Sequence, residues 1–223
     1  MFGRVAKRYD TVNTLLSGGL DYFWRRRAGA VVRGWQPGRL LDLATGSGVL
    51  AASLARACPE ATVVGADFSL PMLQRAQARG RVARLAVADA MRLPFGDGTF
   101  DAVTVGFGLR NMPSYRGALE ETRRVLRPGG HVLILDFSVP SSWWRGLYRL
   151  YLHRCLPRVA GWACGERAAY CYLAESIERF PRGETMRTLL AESGFATATA
   201  EELTGGIVSL YTGTAPGSVT PSS

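Results

Sequence analysis

Leu41-Asp42-Leu43-Ala44-Thr45-Gly46-Ser47-Gly48-Val49-Leu50-Ala51 is the stretch on which the fold of this chain turns. It closes a short apolar run, passes through small residues, and leaves in a helical pattern. Small residues let the backbone approach a ligand closely, and the helix that follows aims its N-terminal amides at it. Gly46-Ser47-Gly48-Val49-Leu50-Ala51 also fits the GxGxxG/A fingerprint of dinucleotide sites. A tight strand-to-helix turn without a ligand has the same appearance.

Outward from this loop, short runs rich in Val and Leu alternate with helical patterns. The runs are Arg39–Ala44, Thr62–Phe68, Ala83–Asp89, Asp101–Phe107 and His131–Phe137, the last entered through a turn at Pro128-Gly129-Gly130. The helical patterns between them are Val49–Ala57, Pro71–Arg79 and Tyr115–Leu126. This rhythm predicts an α/β fold, Rossmann-like, with a mostly parallel sheet of about seven strands covered by helices on both faces. Before it, residues 1–35 read as an N-terminal helical lid, with Val5, Tyr9, Val12 and Leu15/Leu16 at helical spacing. After it, residues 139–182 read as an inserted helical cap, aromatic and rich in Arg. A helix at Gly183–Ser193 and strands near Thr197–Leu203 and Gly206–Gly213 complete one domain over 1–214, and 215–223 reads as a disordered tail.

Two acids extend the loop's chemistry. Gly65-Ala66-Asp67-Phe68-Ser69 ends the second run, and an acid about 20 residues after the glycines is placed to accept hydrogen bonds from both ribose hydroxyls. The third run ends in Ala88-Asp89-Ala90, where a carboxylate can receive an adenine amino group or, alternatively, cap a helix. Asp42, Asp67 and Asp89 all fall at carboxyl ends of strands, where open α/β sheets bind ligands.

Composition narrows the class. The chain has 223 residues, 47% of them apolar, enough for one domain without disulfides. Cys58, Cys155, Cys164 and Cys171 show no metal-ligand spacing, and His131 and His153 are the only histidines, so no metal site is expected. The start, Met-Phe-Gly-Arg-Val-Ala-Lys-Arg-Tyr-Asp, has no apolar signal-peptide core, and no run of about 18 apolar residues occurs. The expectation is a cytoplasmic, reduced protein. The 27 Lys+Arg against 18 Asp+Glu give a formal net charge of +9, which suits nucleic acid, phospholipid headgroups, a phosphorylated substrate or a solvated basic surface. Lys7 is the only lysine, and the arginine bias fits GC-rich coding as well as function.

Asp42-x-Ala44-x-Gly46-x-Gly48, then Asp67, Asp89-Ala90 and Arg127-Pro128-Gly129-Gly130, resemble the S-adenosylmethionine-dependent class I methyltransferases. A dehydrogenase explains the glycines and Asp67 but not the last two groups. Further stretches resemble the ubiquinone/menaquinone biosynthesis C-methyltransferase family. They are Tyr9-Asp10-x-Val12-Asn13-x-x-Leu16-Ser17 with Trp24-Arg25, Leu93-Pro94-Phe95, Phe100-Asp101-x-Val103-Thr104 and Gly106-Phe107-Gly108-Leu109-Arg110-Asn111. Arg124-Val125-Leu126-Arg127-Pro128-Gly129-Gly130 through Asp136-Phe137-Ser138, Tyr170-x-Tyr172-Leu173-x-Glu175-Ser176-Ile177 with Phe180-Pro181, and Leu203-Thr204-Gly205-Gly206 continue the likeness, which spans about residue 2 to 213. The chain departs from the family pattern at Asp21, usually His, at Val49, usually Asp, and at Asp136, usually Glu. The first two weaken a catalytic role there, and the third keeps a carboxylate with one methylene less reach.

The resemblance implies S-adenosylmethionine as methyl donor and a ring carbon of a polyprenylated quinol as acceptor. Reduced demethylmenaquinone, giving menaquinone, is placed ahead of a ubiquinone-pathway benzoquinol or another small aromatic or lipid because the chain is short. Carried over by position, cofactor contacts fall on Asp42, Ala44, Gly46, Ser47 and Gly48 in the loop, on Asp67 and Phe68 at the ribose, on Asp89 and Ala90 at the adenine, and on Gly106 near the methionine end.

A sulfonium methyl is already activated, so the protein must align it and make the acceptor nucleophilic. A quinol carbon attacks well when the adjacent hydroxyl has lost its proton, which asks for a proton acceptor and a cation near the phenolate oxygen. Arg110 and Asn111 suit the second task, and a guanidinium stays protonated, so Arg110 is not a direct base. A water held by Arg110 and Asn111 ranks first as proton acceptor, with Asp10, Asp136 and His153 as further candidates.

Residues 141–156 can be laid on one helix, with Arg145, Arg149 and His153 on one face and Trp144, Leu147, Tyr148, Tyr151 and Cys155 on another. Aromatic rings beside arginines suit an anionic bilayer interface on the inner face of the cell membrane, where a polyprenyl substrate dissolves. A cap helix packing its aromatics over the sheet reads equally well. A nucleic-acid partner is not expected, since only residues 143–154 interleave basic and stacking residues and no nucleic-acid motif accompanies them. Oligomeric state is left open, a homodimer included.

Overall fold

A computed structural model of the chain describes residues 19–141, 143–155 and 167–217. Helix α1 (Leu20–Gly34) turns Asp21, Trp24, Ala28, Gly29 and Val32 inward at helical spacing. Then β1 (Arg39–Leu43), α2 (Val49–Ala57), β2 (Thr62–Asp67), α3 (Leu70–Ala78), β3 (Arg84–Val87) and β4 (Phe100–Gly106) alternate as the sequence predicts. A 3-10 turn at Leu109–Asn111 leads to α4 (Tyr115–Val125) and β5 (Leu126–Phe137). The cap follows as α5 (Arg145–Leu150), a π turn at Tyr151–Cys155, and α6 (Arg167–Arg179). The chain closes with α7 (Glu184–Glu192), β6 (Thr197–Leu203), a 3-10 turn at Thr204–Gly206, and β7 (Val208–Thr214).

The seven strands form one sheet in the order β3-β2-β1-β4-β5-β7-β6. All neighbours are parallel except those of β7, which runs antiparallel to both β5 and β6. Side chains alternate across the sheet with the period of two that a strand imposes. Leu40, Val63, Ala102, Leu133 and Leu135 pack on the face with α1 and α2, and Leu41, Val103, Val132 and Ile134 pack on the face with α4 and α7. A third, smaller core of Val139, Tyr148, Leu152, Tyr170, Ala174 and Ile177 holds the cap.

Because β1 to β5 are parallel, their carboxyl ends share one edge. The chain builds outward from β1 through β2 to β3, then returns to place β4 on the other side of β1. The crevice between the ends of β1 and β4 is the position where such sheets bind ligands.

Several boundaries differ from the sequence reading, the third strand among them, which ends at Val87 and not at Asp89. The fifth strand starts at Leu126, not at His131: Pro128-Gly129-Gly130 is absorbed as an irregularity against Phe100 and Ala102, with Gly129 at φ 74°. The last strand begins two residues later than expected, because Gly205 and Gly206 take left-handed conformations in a turn. Ala215, read as the start of the tail, is buried and its N–H donates to the Gly130 carbonyl at 2.7 Å. The expected single helix over 141–156 is α-helical only to Leu150. Of the lid expected over 1–35, residues 1–18 lie outside the described residues.

Candidate active site

The loop after β1 departs from strand geometry at once: Ala44, Gly46 and Gly48 all have left-handed backbones, with φ of 56°, 57° and 80°. Glycine takes that conformation at no steric cost, whereas Ala44 holds it under strain. Gly48 is further required by space, since a Cβ there would lie 2.9 Å from Cγ2 of Val82. Beneath the loop, the buried Asp42 accepts hydrogen bonds from the hydroxyls of Thr45 (2.6 Å) and Thr104 (2.7 Å), tying β1, the loop and β4 together. Burial pushes its carboxyl up to about 6, against the opposing pull of the two threonines. Ser47 is buried within the loop, and Arg81 donates to its carbonyl and hydroxyl at 3.2 and 3.3 Å.

Asp67, at the tip of β2, reaches back to the same loop. One carboxylate oxygen accepts from the Gly46 N–H and the other from the Ser69 N–H, each at 2.8 Å. A carboxylate offers about four acceptor positions, so two remain for a diol. Burial raises this carboxyl above its ordinary range. Phe68 beside it is 79% exposed, and Val87, paired with Asp67 across the sheet, and Leu70 are exposed as well. Sequence reading named Phe68 but missed Leu70 and Val87, whose exposure depends on the sheet edge. Asp89 is exposed and accepts from the Met91 N–H at 2.9 Å. It starts no helix: the next one among the described residues is the turn at Leu109. Ala90, half-buried, follows it.

The end of β4 is pressed against the loop. A Cβ on Gly106 would come within 2.5 Å of Leu50 Cδ2, and one on Gly108 within 2.5 Å of Ala44 Cβ. Between them Phe107 has φ 56°, a left-handed conformation rare for a bulky residue. The 3-10 turn then buries Arg110. Its Nη1 pairs with Asp136 Oδ1 at 2.6 Å and also donates to the Phe107 carbonyl, while its backbone N–H donates to Asp136 Oδ2 at 3.3 Å. Asp136, fully buried at the end of β5, also accepts from the Phe137 N–H at 2.9 Å. Burial pushes Asp136 up and the Arg110 guanidinium pulls it back. The shorter acid, standing where the resemblance implies Glu, thus still reaches the guanidinium.

Of the residues selected from sequence, the structure brings Asp42, Ala44, Gly46, Ser47, Gly48, Asp67 and Gly106 around one loop. It sets Arg110, Asn111 and Asp136 beside it. Asn111 is half-buried, its N–H on the Gly108 carbonyl at 3.0 Å. His153 is instead engaged in the cap, where its Nε2 lies 3.1 Å from Glu178, a carboxylate shared with Arg149 at 2.6 Å. Asp10 lies outside the described residues. Asp21 is buried and pairs with Arg25 one turn along α1.

An aromatic cluster completes the site. Phe107 and Phe137, both half-buried, lie 4.8 Å apart between ring centroids, and the buried Trp24 stands 6.0 Å from each. The Trp24 Nε1–H donates to the Thr204 hydroxyl at 2.8 Å, and the Arg110 guanidinium sits 5.3 Å from the Phe137 ring centre. No local sequence signal joins Trp24 to residues 107 and 137.

Comparison with known proteins places this geometry. The sequence model of the ubiE/COQ5 methyltransferase family matches residues 1–215. The demethylmenaquinone methyltransferase of Thermus thermophilus is 47% identical over 221 residues, covering 97% of this chain and 100% of that protein. That of Mycobacterium tuberculosis is 44% identical, covering 99% and 93%. Among solved structures, a SAM-dependent methyltransferase of Thermotoga maritima, described as a possible histamine N-methyltransferase, aligns with a TM-score of 0.67 at 20% identity, over 96% of this chain and 97% of that one. Phosphoethanolamine N-methyltransferase 2 of Haemonchus contortus, in complex with S-adenosyl-L-methionine, aligns with a TM-score of 0.59 at 19% identity, over 80% and 48%. These two share the fold with this chain.

Proposed function

The chain belongs to the ubiE/COQ5 methyltransferase family, and from that premise we propose that it is a demethylmenaquinone methyltransferase, transferring a methyl group from S-adenosylmethionine to a ring carbon of reduced demethylmenaquinone. The observation that carries this reading is the buried Arg110–Asp136 pair set beside the glycine loop, in a chain 47% identical to the Thermus enzyme.

The residues present fit the methyl donor. Left-handed Gly46 and Gly48 keep the loop bare of side chains, and Asp67 retains two acceptor positions for ribose hydroxyls. Asp42, Ala44, Ser47, Phe68, Asp89, Ala90 and Gly106 complete the proposed binding edge. Bound there, S-adenosylmethionine supplies a methyl group already activated for transfer to carbon.

The chain's own residues then handle the acceptor. Arg110 presents a fixed positive charge to the quinol oxygen and stabilises the anion that makes the ring carbon nucleophilic. Asp136 acts through Arg110: its oxygens face the guanidinium and backbone N–H groups, so it orients the cation rather than meeting the acceptor. A water held by Arg110 and Asn111 takes the hydroxyl proton. His153, tied to Glu178, ranks behind that water.

The cap supports a lip at the membrane. Trp143 is 94% exposed and Leu147 66%, with Leu150 and Tyr151 exposed beside them, while Tyr148 and Leu152 anchor the cap inward. An apolar stripe bordered by arginines suits the headgroup boundary from which a polyprenyl chain enters.

Product analysis tests the reading. Labelled S-adenosylmethionine is offered with reduced demethylmenaquinone and a reduced benzoquinone analogue side by side. Label is expected in menaquinone. Label in the benzoquinol product alone, or in neither, overturns the assignment.

A further inference from the structure

We propose that the first turn of α1 is a second membrane-contacting element, and that together with the cap it turns the carboxyl edge of the sheet toward an anionic bilayer. This rests on the reading of the cap as a membrane lip and extends it to a part of the chain outside that cap. The outer face of α1 carries the proposal. Leu20, Tyr22 and Phe23 are exposed, Tyr22 by 66% and Phe23 by 55%, although the same helix buries Asp21, Trp24 and Ala28 against the sheet. At 3.6 residues per turn, Tyr22, Phe23, Arg26 and Arg27 share the outward side, and both arginines are exposed. Apolar rings followed by arginines match the headgroup boundary, with the rings at the acyl edge and the guanidinium groups on lipid phosphates.

Position joins this face to the cap. α1 descends the sheet from its carboxyl edge. Trp24 lies 6.0 Å from Phe107, just past β4, and from Phe137, at the end of β5. Trp35, just past the helix, stacks at 4.7 Å on His131, well before the end of β5. The first turn of α1 therefore stands at the edge that carries the glycine loop, and one turn of chain holds both it and the cap. Trp24 Nε1–H donates to the Thr204 hydroxyl at 2.8 Å, and a Cβ on the adjoining Gly205 would lie 2.9 Å from Trp144 Cζ2. Beside each of these anchored tryptophans sits an exposed ring, Phe23 in α1 and Trp143 in the cap. Glu201 and Glu202 repeat the link, the first pairing with Arg27 at 2.9 Å and the second accepting from the Ser141 hydroxyl at 3.0 Å. Arg145 and Arg149 are exposed on the cap side. A second copy of the chain could also cover the rings, but a two-fold contact sets two basic patches against each other. Anionic headgroups neutralise them instead.

The test measures the partition of the full chain onto vesicles by flotation at low salt, with phosphatidylglycerol mixed into phosphatidylcholine or with phosphatidylcholine alone. Tyr22→Gln with Phe23→Gln keeps good helix formers. It should lower partition onto the anionic vesicles about 10-fold or more, while unchanged titration of S-adenosylmethionine reports an intact fold. Arg26→Glu keeps both rings and should lower anionic partition about 5- to 30-fold, with no change on phosphatidylcholine alone. Unaltered partition of the Tyr22→Gln, Phe23→Gln protein, where Trp143→Ala with Leu147→Ser still loses recovery, overturns the α1 surface and leaves the cap lip standing. No binding of the unaltered protein to either vesicle removes the cap lip and this proposal together. Sedimentation without vesicles checks the other occupant: a dimer that Tyr22→Gln with Phe23→Gln dissociates overturns the bilayer in favour of a second copy.

Discussion

Among the described residues, Arg110 is the buried arginine of this basic chain. Its charge is buried against a fully buried carboxylate, so its position is fixed and its field is little screened. Removing one member of such a pair leaves the other without compensation. In Arg110→Ala the guanidinium's pull on Asp136 is lost, and burial pushes that carboxyl further up. Turnover is expected to fall about 10²- to 10³-fold, the scale of losing one transition-state charge stabiliser. Affinity for S-adenosylmethionine, measured by titration, should stay within about threefold, less than about 1 kcal/mol, because the loop and Asp67 do not rely on Arg110. Unchanged turnover removes Arg110 from the mechanism. The sequence located Arg110 just beyond the fourth strand, since strand ends and glycine spacing are local signals. It offered Asp136 as a base, because the partner of a carboxylate 26 positions away becomes visible only when β4 and β5 lie side by side.

At the scale of elements, the cap shows where periodicity fails. A uniform helix over residues 141–156 puts Leu147, Tyr148 and Tyr151 on one face, yet Leu147 is exposed while Tyr148 and Leu152 are buried. The change from α to π winding at Tyr151 alters the number of residues per turn and rotates everything after it. The exposed stripe is Trp143, Leu147, Leu150 and Tyr151, at or before that change, a face that the sequence pattern did not isolate. Flotation with liposomes is expected to recover the protein with anionic vesicles at low salt and to lose it as salt rises. Trp143→Ala combined with Leu147→Ser should abolish recovery while leaving the cap core of Tyr148 and Leu152 intact. No binding to anionic or neutral vesicles removes the lip.

Across the whole molecule, charge and stability are governed by different residues. Surface pairs such as Arg27–Glu201, Arg127–Asp101 and Arg149–Glu178 contribute little each, since exposed ion pairs are screened. Buried Asp42 matters more. Its carboxyl is held at about 6 in the folded protein, above the range it has when unfolded, so the neutral form favours folding. That contribution is fully present below about pH 4 and is lost as pH rises through about 6. Asp42→Asn keeps an amide oxygen for one threonine hydroxyl and an N–H for the other. Urea denaturation at pH 4 and pH 7 should show the variant losing about 2 kcal/mol less stability over that interval than the unaltered protein. An identical loss in both proteins contradicts a titrating Asp42.

The sequence by itself determined the strand–helix alternation, the glycine loop, the acids at the strand ends and the family. Each of these is written in residues close together, through a period of two or 3.6, a left-handed glycine, or a motif of fixed spacing. The tertiary structure decided the insertion of antiparallel β7 between β5 and β6, the burial of Asp136 against Arg110, and the meeting of Trp24 with Phe107 and Phe137. These depend on which distant segments share a sheet edge, and that is selected by burial of the whole core rather than by any local rule.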